Sequence, residues 1–219
     1  MKRAVVTLFV LCLLGFATTG WAMGKGGSVL AIQIGQGTAD VVDTDLSGGA
    51  WQPVPQPEIN LQAEFWHAFS DDYAFNVSGG AGYFNEKREP TSANKSTNPT
   101  ITVTVTSYRF RVGGDRFGQI GDRLTVFLGP GIEFWSGKGK EEYSGAGATP
   151  TETGPNTNRF GLGGRMGGFL KLSEQMSLVG HIGHTWGYAS VSKDGGKTTW
   201  WPSSFEGAGG IAYNFGSSK

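Results

Sequence analysis

Three histidines are the first residues in this sequence that could do acid–base or metal chemistry. His67 lies three residues before Ser70, and His181 lies three residues before His184. A nucleophilic triad needs a base within hydrogen-bond reach of a hydroxyl, and a metal pair needs two imidazoles on one face. In an extended chain an odd spacing places two side chains on opposite faces. We therefore expect structural histidines, no catalytic residue, no metal site, no cofactor and no enzymatic activity.

A second group of residues could form a polar site, because six charged side chains share one face of five alternating segments. They are Glu64, Arg109, Arg111, Glu133, Arg165 and Glu206. Three are acidic and three are basic, and charges that are withdrawn from water must pair, since an unpaired one is costly. The pattern predicts a charge network that fills an interior. The alternative is a gate or a narrow polar path whose ion pairs rearrange.

The elements that position these side chains are strands, because apolar and polar residues alternate with period two and very little follows a helical period. The predicted strands lie near 28–38, 58–69, 73–85, 101–116, 123–136, 158–172, 176–190 and 203–216. Short turns are predicted at 70–72, 117–122 and 173–175, and long connections at 39–57, 86–100, 137–157 and 191–202. This order of long and short connections is typical of an even-stranded barrel with both termini on one side.

The glycines decide which face of the barrel points inward. One face is apolar, with aromatic residues near the strand ends, and the other is polar and rich in glycine; the chain has 37 glycines in all. A soluble lipocalin-like barrel would turn the apolar face inward around a ligand. A solvent-facing strand gains nothing from glycine, whereas a narrow interior shared with Arg and Glu needs residues that take up little room. We therefore expect the polar face inside and the apolar face against lipid.

The first 22 residues are predicted to be a secretory signal peptide. Lys2 and Arg3 precede an apolar run over 4–16, and Gly20 and Ala22 are the small residues that a signal peptidase reads. Cys12 is the single cysteine and would leave with this segment. The predicted domains are thus a signal peptide, 1–22, and a barrel, 23–219. No later apolar run approaches the roughly 20 residues of a spanning helix.

The signal peptide, the eight alternating segments and the order of loops and turns resemble the small outer-membrane barrels of the OmpX, OmpW and OmpA-barrel kind. The last strand, with Ile211, Tyr213 and Phe215 on its apolar face, is also similar to their closing strand. Such barrels usually end on the aromatic residue, whereas four residues follow Phe215 here. The resemblance implies an all-β, eight-stranded antiparallel up-and-down transmembrane barrel in a bacterial outer membrane.

Three functions are compatible with these features. The first is a structural or surface-interaction barrel, the second a conduit of the OmpW kind for small, mainly apolar solutes, and the third a lipid-modifying enzyme. By parity Trp66, Phe84, Phe127 and Trp135 point inward, which favours the second. The parity of the histidines speaks against the third.

The expected partners follow from charge and from the tryptophans. The formal net charge is zero, so nucleic acid is not an expected partner. Outer-membrane lipid and lipopolysaccharide are expected, with a small apolar solute as the alternative ligand and a monomer as the oligomeric state. The tryptophans assigned to an interface or a loop are Trp135, Trp186, Trp200 and Trp201.

Overall fold

The structure is a computed structural model that describes residues 24–42, 53–89, 99–145, 151–193 and 196–215. The regular structure in these ranges is all β-strand. The strands are β1 (Ser28–Val42), β2 (Pro53–Ala68), β3 (Tyr73–Arg88), β4 (Thr100–Ile120), β5 (Leu124–Ser144), β6 (Glu152–Lys171), β7 (Met176–Lys193), β8 (Gly196–Trp200) and β9 (Ser203–Phe215). The predicted signal peptide lies outside the described residues. In the described part of the chain, no helix is long and apolar enough to cross a membrane.

The strands form one closed ring of antiparallel neighbours. Each strand from β1 to β7 pairs with the next, and β9 pairs with both β7 and β1. β8 and β9 occupy one position in the ring, because Trp200 pairs with Ala189 and Ser203 with Trp186 in the same register. Pro202 interrupts them, since proline has no N–H to donate to the ladder. The predicted eight-stranded up-and-down barrel is therefore confirmed.

The register shows that the strands are tilted. One lateral row of ladder partners runs through Leu30, Phe65, Val77, Val112, Ile132, Leu162, Trp186 and Ser203. β1 and β9 pair in the register that places Gln36 opposite Gly207, and in this register residue 40 of β1 is level with Ser203. A row that starts at residue 30 of β1 therefore returns to β1 at residue 40 after one circuit of the barrel. This offset is what a closed barrel with tilted strands requires.

The outer face carries an apolar belt between two aromatic girdles. On β3, Tyr73 and Tyr83 mark the two ends of the belt, and both are exposed. At a tilt of about 45° the ten residues between them rise about 24 Å, close to the height of the apolar band on membrane barrels. The predicted outward parity is confirmed at almost every position. Leu128 is the exception: it is 2% exposed and is flanked on the neighbouring strands by the long side chains of Arg116 and Met166.

Several predicted connections are wrong, because the strands continue beyond the belt. β5 extends to Ser144 and β6 begins at Glu152, so most of the predicted loop 137–157 is sheet. The predicted loop 191–202 is a hairpin of β7 and β8. β4 reaches Ile120, which shortens the predicted turn 117–122. The predicted connections 39–57 and 86–100 also shorten, since β1 ends at Val42, β2 begins at Pro53, β3 ends at Arg88 and β4 begins at Thr100.

The added sheet forms a protruding wall at the end of the barrel opposite the short turns. β4 continues eight residues past Tyr108 and β5 ten residues past Phe134. At the same tilt this is roughly 20 Å of wall beyond the upper girdle. Its outward side chains are polar; they include Asn85, Thr102, Thr104, Lys138, Lys140 and Asn158. The barrel is thus longer than the belt that lipid would cover.

Candidate functional site

The end of the lumen near the short turns is closed by an aromatic plug of Trp66, Phe117, Phe127 and Phe169. The ring centroids of Trp66 and Phe169 are 5.1 Å apart, and those of Phe127 and Phe169 are 5.4 Å apart. Small residues of the same inward parity, among them Ala31, Ala68 and Ala212, pack around the rings. Every member of the plug is buried, so this end of the lumen is filled.

Above the plug lies the first part of an ionic layer, centred on Arg165. Its guanidinium forms an ion pair with Glu64 and a second one with Asp115 at 2.5 Å. The same guanidinium lies 5.3 Å from the ring centroids of both Trp66 and Phe127. Cation–π contacts of this kind are stronger when water is excluded. Arg165 therefore joins the plug to the ionic layer.

Asp115 gathers three donors around one carboxylate. In addition to Arg165, it accepts hydrogen bonds from the Trp66 indole and the Asn76 amide, each at 2.8 Å. Asn76 in turn accepts a bond from Arg111 at 2.7 Å. A buried carboxylate that accepts several hydrogen bonds has the partners that its oxygens need away from water. These contacts fix side chains from four strands, β2, β3, β4 and β6, in one arrangement.

The second part of the ionic layer is centred on Arg109, which meets three carboxylates. It pairs with Glu206, with Glu58 at 3.0 Å and with Glu133 at 3.9 Å. Glu133 also pairs with Arg159 at 2.6 Å. These side chains are almost entirely withdrawn from water, with Glu206 the most exposed at 12%. The arrangement holds strands from opposite sides of the ring together across the lumen.

A small apolar group lies between the ionic layer and the far mouth of the barrel. It consists of Val103, Val105 and Trp135, with Phe84 and Ile101 packed against it. Trp135 is 1% exposed and lies inside the lumen, so its assignment to an interface is wrong. The physical reason is parity, since Trp135 shares the inward face of β5 with Phe127 and Glu133.

The inward glycines make room for the arginines. A methyl group on Gly131 would lie 2.5 Å from Cζ of Arg111, and one on Gly37 would lie 3.0 Å from a terminal nitrogen of Arg109. On the outer face the same change at Gly209 would meet nothing closer than 3.7 Å. Glycine is therefore a packing requirement inside the barrel and not on its surface.

All six charged residues selected from the sequence lie within the ionic layer, at or near contact with one another. Arg165 meets Glu64, and Arg109 meets Glu133 and Glu206. Arg111 instead binds an amide and the Gly129 carbonyl, the latter at 3.5 Å. Glu58, Asp115 and Arg159 also belong to the ionic layer and are not among the six predicted residues. Strand parity would have found them, because each stands an even number of residues from a selected charge on its own strand.

The remaining tryptophans divide between the surface and the hairpin. Trp186 and Trp201 are exposed at 63% and 82%, as an interfacial position requires. Trp201 packs against Tyr188 of the upper girdle, with ring centroids 5.6 Å apart. Trp200 lies on β8 opposite the buried Ala189, so its side chain faces inward and its assignment to an interface or a loop is wrong.

The three histidines occupy three separate environments. His67 shares a hydrogen bond of 2.9 Å with Ser28 near the short-turn end. His181 lies inside the lumen, 3.9 Å from Glu206. His184 lies on the outer face, where its ring is 4.3 Å from that of Trp186. Within the described residues, no three His, Cys, Asp or Glu side chains are grouped to hold a metal ion.

Comparison with known proteins gives a fold and no closer relationship. No family model matches the chain, and no curated protein matches it. Among solved structures, the outer membrane protein OprG of Pseudomonas aeruginosa is similar with a TM-score of 0.55 and 11% identity, covering 89% of this chain and 98% of that one. Ail, the attachment invasion locus protein of Yersinia pestis, gives a TM-score of 0.46 and 15% identity over 87% of this chain and 99% of that one.

The outer membrane protein AlkL gives a TM-score of 0.48 and 10% identity, covering 94% of this chain and 97% of that one. At these identities a likeness shows architecture alone. The likeness to OprG covers 89% of this chain and agrees with the closed ring of strands. By its fold, this chain is a small eight-stranded β-barrel of the kind found in bacterial outer membranes.

Proposed function

We propose that the chain is an integral outer-membrane barrel with a closed lumen and a structural or surface-interaction role. The observation that carries this proposal is the filling of the lumen. From the aromatic plug through the ionic layer to Trp135, the inward side chains are buried against one another. Eight strands leave an interior just wide enough for side chains, so the buried inward side chains are enough to fill the lumen.

The surface-interaction part of the proposal is supported by the protruding wall. Its outward face is polar, and its length exceeds what the bilayer needs. In membrane barrels of this class the short turns face the periplasm and the longer side faces the exterior. We infer that the protruding wall stands above the outer leaflet, where it would meet lipopolysaccharide sugars and other surface molecules.

Contact with lipid headgroups is one part of the proposed surface-interaction role. Trp201 and Tyr188 pack together at the upper girdle. The exposed Lys138 lies four residues beyond the outward Phe134, and the exposed Lys197 lies four residues beyond Trp201. Tryptophan at the girdle and lysine above it suit an interface with anionic lipid. We propose a monomer that binds outer-membrane lipid in this way, and no enzymatic activity, because the histidines lie in separate environments.

A labelling experiment tests the orientation. The chain has one cysteine, Cys12, in the predicted signal peptide, so cysteines introduced into the barrel are unique there. Thr104→Cys, on the protruding wall, should react with a membrane-impermeant maleimide on intact cells. Gln175→Cys, in a short turn, should react only after the outer membrane is opened. The reverse pattern would overturn the proposed orientation, and labelling of both on intact cells would argue against a membrane location.

A conduit for small apolar solutes is the second candidate, favoured by the apolar group around Trp135. Such a path needs space beside these side chains, and Val103, Val105 and Trp135 are each at most 4% exposed. Replacing Trp135 with alanine should therefore create a solute site that the native chain lacks. Equal binding of a fluorescent apolar probe by the native chain and by W135A would favour the conduit over the closed barrel.

A further inference from the structure

The barrel wall is not closed all the way round above the pair Gln36 and Gly207. β1 pairs with β9 from Ser28 as far as Gln36, which faces Gly207. Beyond that point, residues 37–42 of β1 pair with β2 alone, as far as Val42 opposite Pro53. One edge of the upper part of β1 therefore has no ladder partner among the described residues.

The facing strand has the same feature. β8 pairs with β7 alone, and residues 203–206 of β9 pair with β7 but not with β1. We call the gap between residues 37–42 and residues 196–206 the seam. It has two strand edges, one on each side, and it begins above the last closed pair, Gln36 and Gly207.

One hydrogen bond shows which backbone N–H and C=O groups of β8 and β9 face the seam. The Gly187 N–H donates to the Pro202 carbonyl at 3.0 Å. Because backbone groups alternate in direction along an antiparallel strand, even-numbered residues of β8 and β9 turn theirs toward β7. The N–H and C=O groups of Lys197, Thr199, Ser203 and Phe205 therefore face the seam.

The lower part of the seam lies at the upper girdle, and the rest lies beyond it. On β1 the outward Gln36 follows Ile34, the last exposed apolar residue there, and on the facing side Phe205 and Trp201 are exposed. Below Gln36 and Gly207 every strand is paired on both edges, as hydrocarbon requires of backbone groups. The free edges above Trp201 therefore face the aqueous side of the membrane.

A side-chain group on β8 also lacks a partner. The indole nitrogen of Trp200, on β8, is buried and has no hydrogen-bond acceptor among the described residues. Buried indole N–H groups usually find an acceptor, and tryptophan is enriched where proteins bind one another. The unsatisfied donor and the unpaired backbone groups lie on the same five-residue strand.

We propose that the seam binds an extended segment of a partner polypeptide, which adds a strand to the free edges. A polypeptide backbone supplies alternating donors and acceptors at the spacing of a ladder, which lipid tails and sugars do not. The edges select a segment of about five residues, matching the length of β8. The proposal rests on the proposed outward orientation of the protruding wall and names the class of partner that this wall receives.

Hydrogen exchange on the full barrel in lipid nanodiscs tests this inference. The probe is a synthetic peptide with the sequence of residues 100–107 of this chain, which is a natural strand, at millimolar concentration. Its control is the same peptide with alternate backbone nitrogens methylated, which removes donors and leaves the side chains unchanged. Thr198 and Ser204, whose amides face β7, serve as internal controls within the same strands.

We expect the amides of Thr199 and Phe205 to exchange fast in the free barrel and those of Thr198 and Ser204 to exchange slowly. The probe should slow the first pair by at least about tenfold, and the methylated peptide should not. Protection of Thr199 in the free monomer would overturn the proposal, since the edge would already be paired, and so would an equal effect of both peptides or none. Protection accompanied by dimer formation would assign the edge to a second copy of the chain instead. None of these outcomes depends on labelling of intact cells, so this inference and the orientation can fail separately.

Discussion

Arg165 is the residue whose removal most directly tests how the lumen is held together. It neutralises two buried carboxylates, Glu64 and Asp115, and covers two rings of the aromatic plug. Arg165→Met keeps much of the side-chain volume and leaves both carboxylates unpaired. We expect the free energy of unfolding to fall by about 3–5 kcal/mol, measured by urea titration in detergent micelles.

The control for this prediction removes the stranded charges. Glu64→Gln and Asp115→Asn, added to Arg165→Met, leave no unpaired carboxylate and should recover most of the lost stability. Lys138→Met, on the outer surface of the protruding wall, should change stability by less than about 0.5 kcal/mol. An equal loss in the single and triple variants would show that packing, and not charge pairing, holds this part of the lumen.

The inward and outward glycines should respond in opposite ways to an added methyl group. At Gly35 the new carbon would lie 2.6 Å from the Gly207 carbonyl oxygen, whereas at Gly209 the nearest atom is 3.7 Å away. We expect Gly35→Ala to destabilise the barrel by about 1–3 kcal/mol. Gly209→Ala should be neutral or stabilising by up to about 1 kcal/mol, because alanine loses less backbone entropy. Equal effects in the same urea titration would contradict the proposed role of the inward glycines.

Much of the lumen could be predicted at the residue scale, because parity along a strand fixes the direction of every side chain. Glu64, Arg109 and Arg165 were placed inside on that basis, and they lie there. Parity does not say which inward residues meet across the ring, since that depends on the tilt and register of all eight strands. The three donors that converge on Asp115 come from β2, β3 and β6, and no sequence spacing indicates their meeting.

At the scale of the strand, the apolar belt sets where lysine is tolerated. Val112 lies on the outward face of β4 within the belt, and Thr104 lies on the same face and strand above the upper girdle. In lipid vesicles, Val112→Lys should lower the free energy of unfolding by about 2–4 kcal/mol, and Thr104→Lys by about 0–1 kcal/mol. A larger loss at Thr104 than at Val112 would mean that the belt lies elsewhere on the strand.

The lengths of the strands could not be predicted as well as their number. Over residues 137–140 glycine alternates with lysine, and residues 141–144 are mostly charged or polar, a composition typical of loops. These residues are strand because β4 supplies a continuous ladder through Thr100–Ser144 and Ser107–Gly137. The predicted loop 191–202 is a similar error: the predicted last strand begins after Pro202, although β8 continues in the same register beyond it. Pairing with a neighbouring strand makes both segments strands. The sequence of one segment does not show which strand lies beside it.

At the scale of the whole molecule, the filled lumen supports the proposal of an outer-membrane barrel without a continuous water path. The aromatic plug closes one end, the ionic layer crosses the middle, and the apolar group around Trp135 fills the space toward the far mouth. Each layer is held by residues from several strands, so no single strand can open the lumen alone.

Conductance across planar lipid bilayers tests this closed state most directly. The purified full barrel, inserted under a steady low voltage, should show no long-lived conductance steps, because the plug, the ionic layer and the apolar group leave no wide water path. A parallel sample of the inserted protein should be run on a gel before and after boiling. Slower migration of the boiled sample would show that folded barrels were present. Uniform, stable conductance steps from the native chain would contradict the closed lumen.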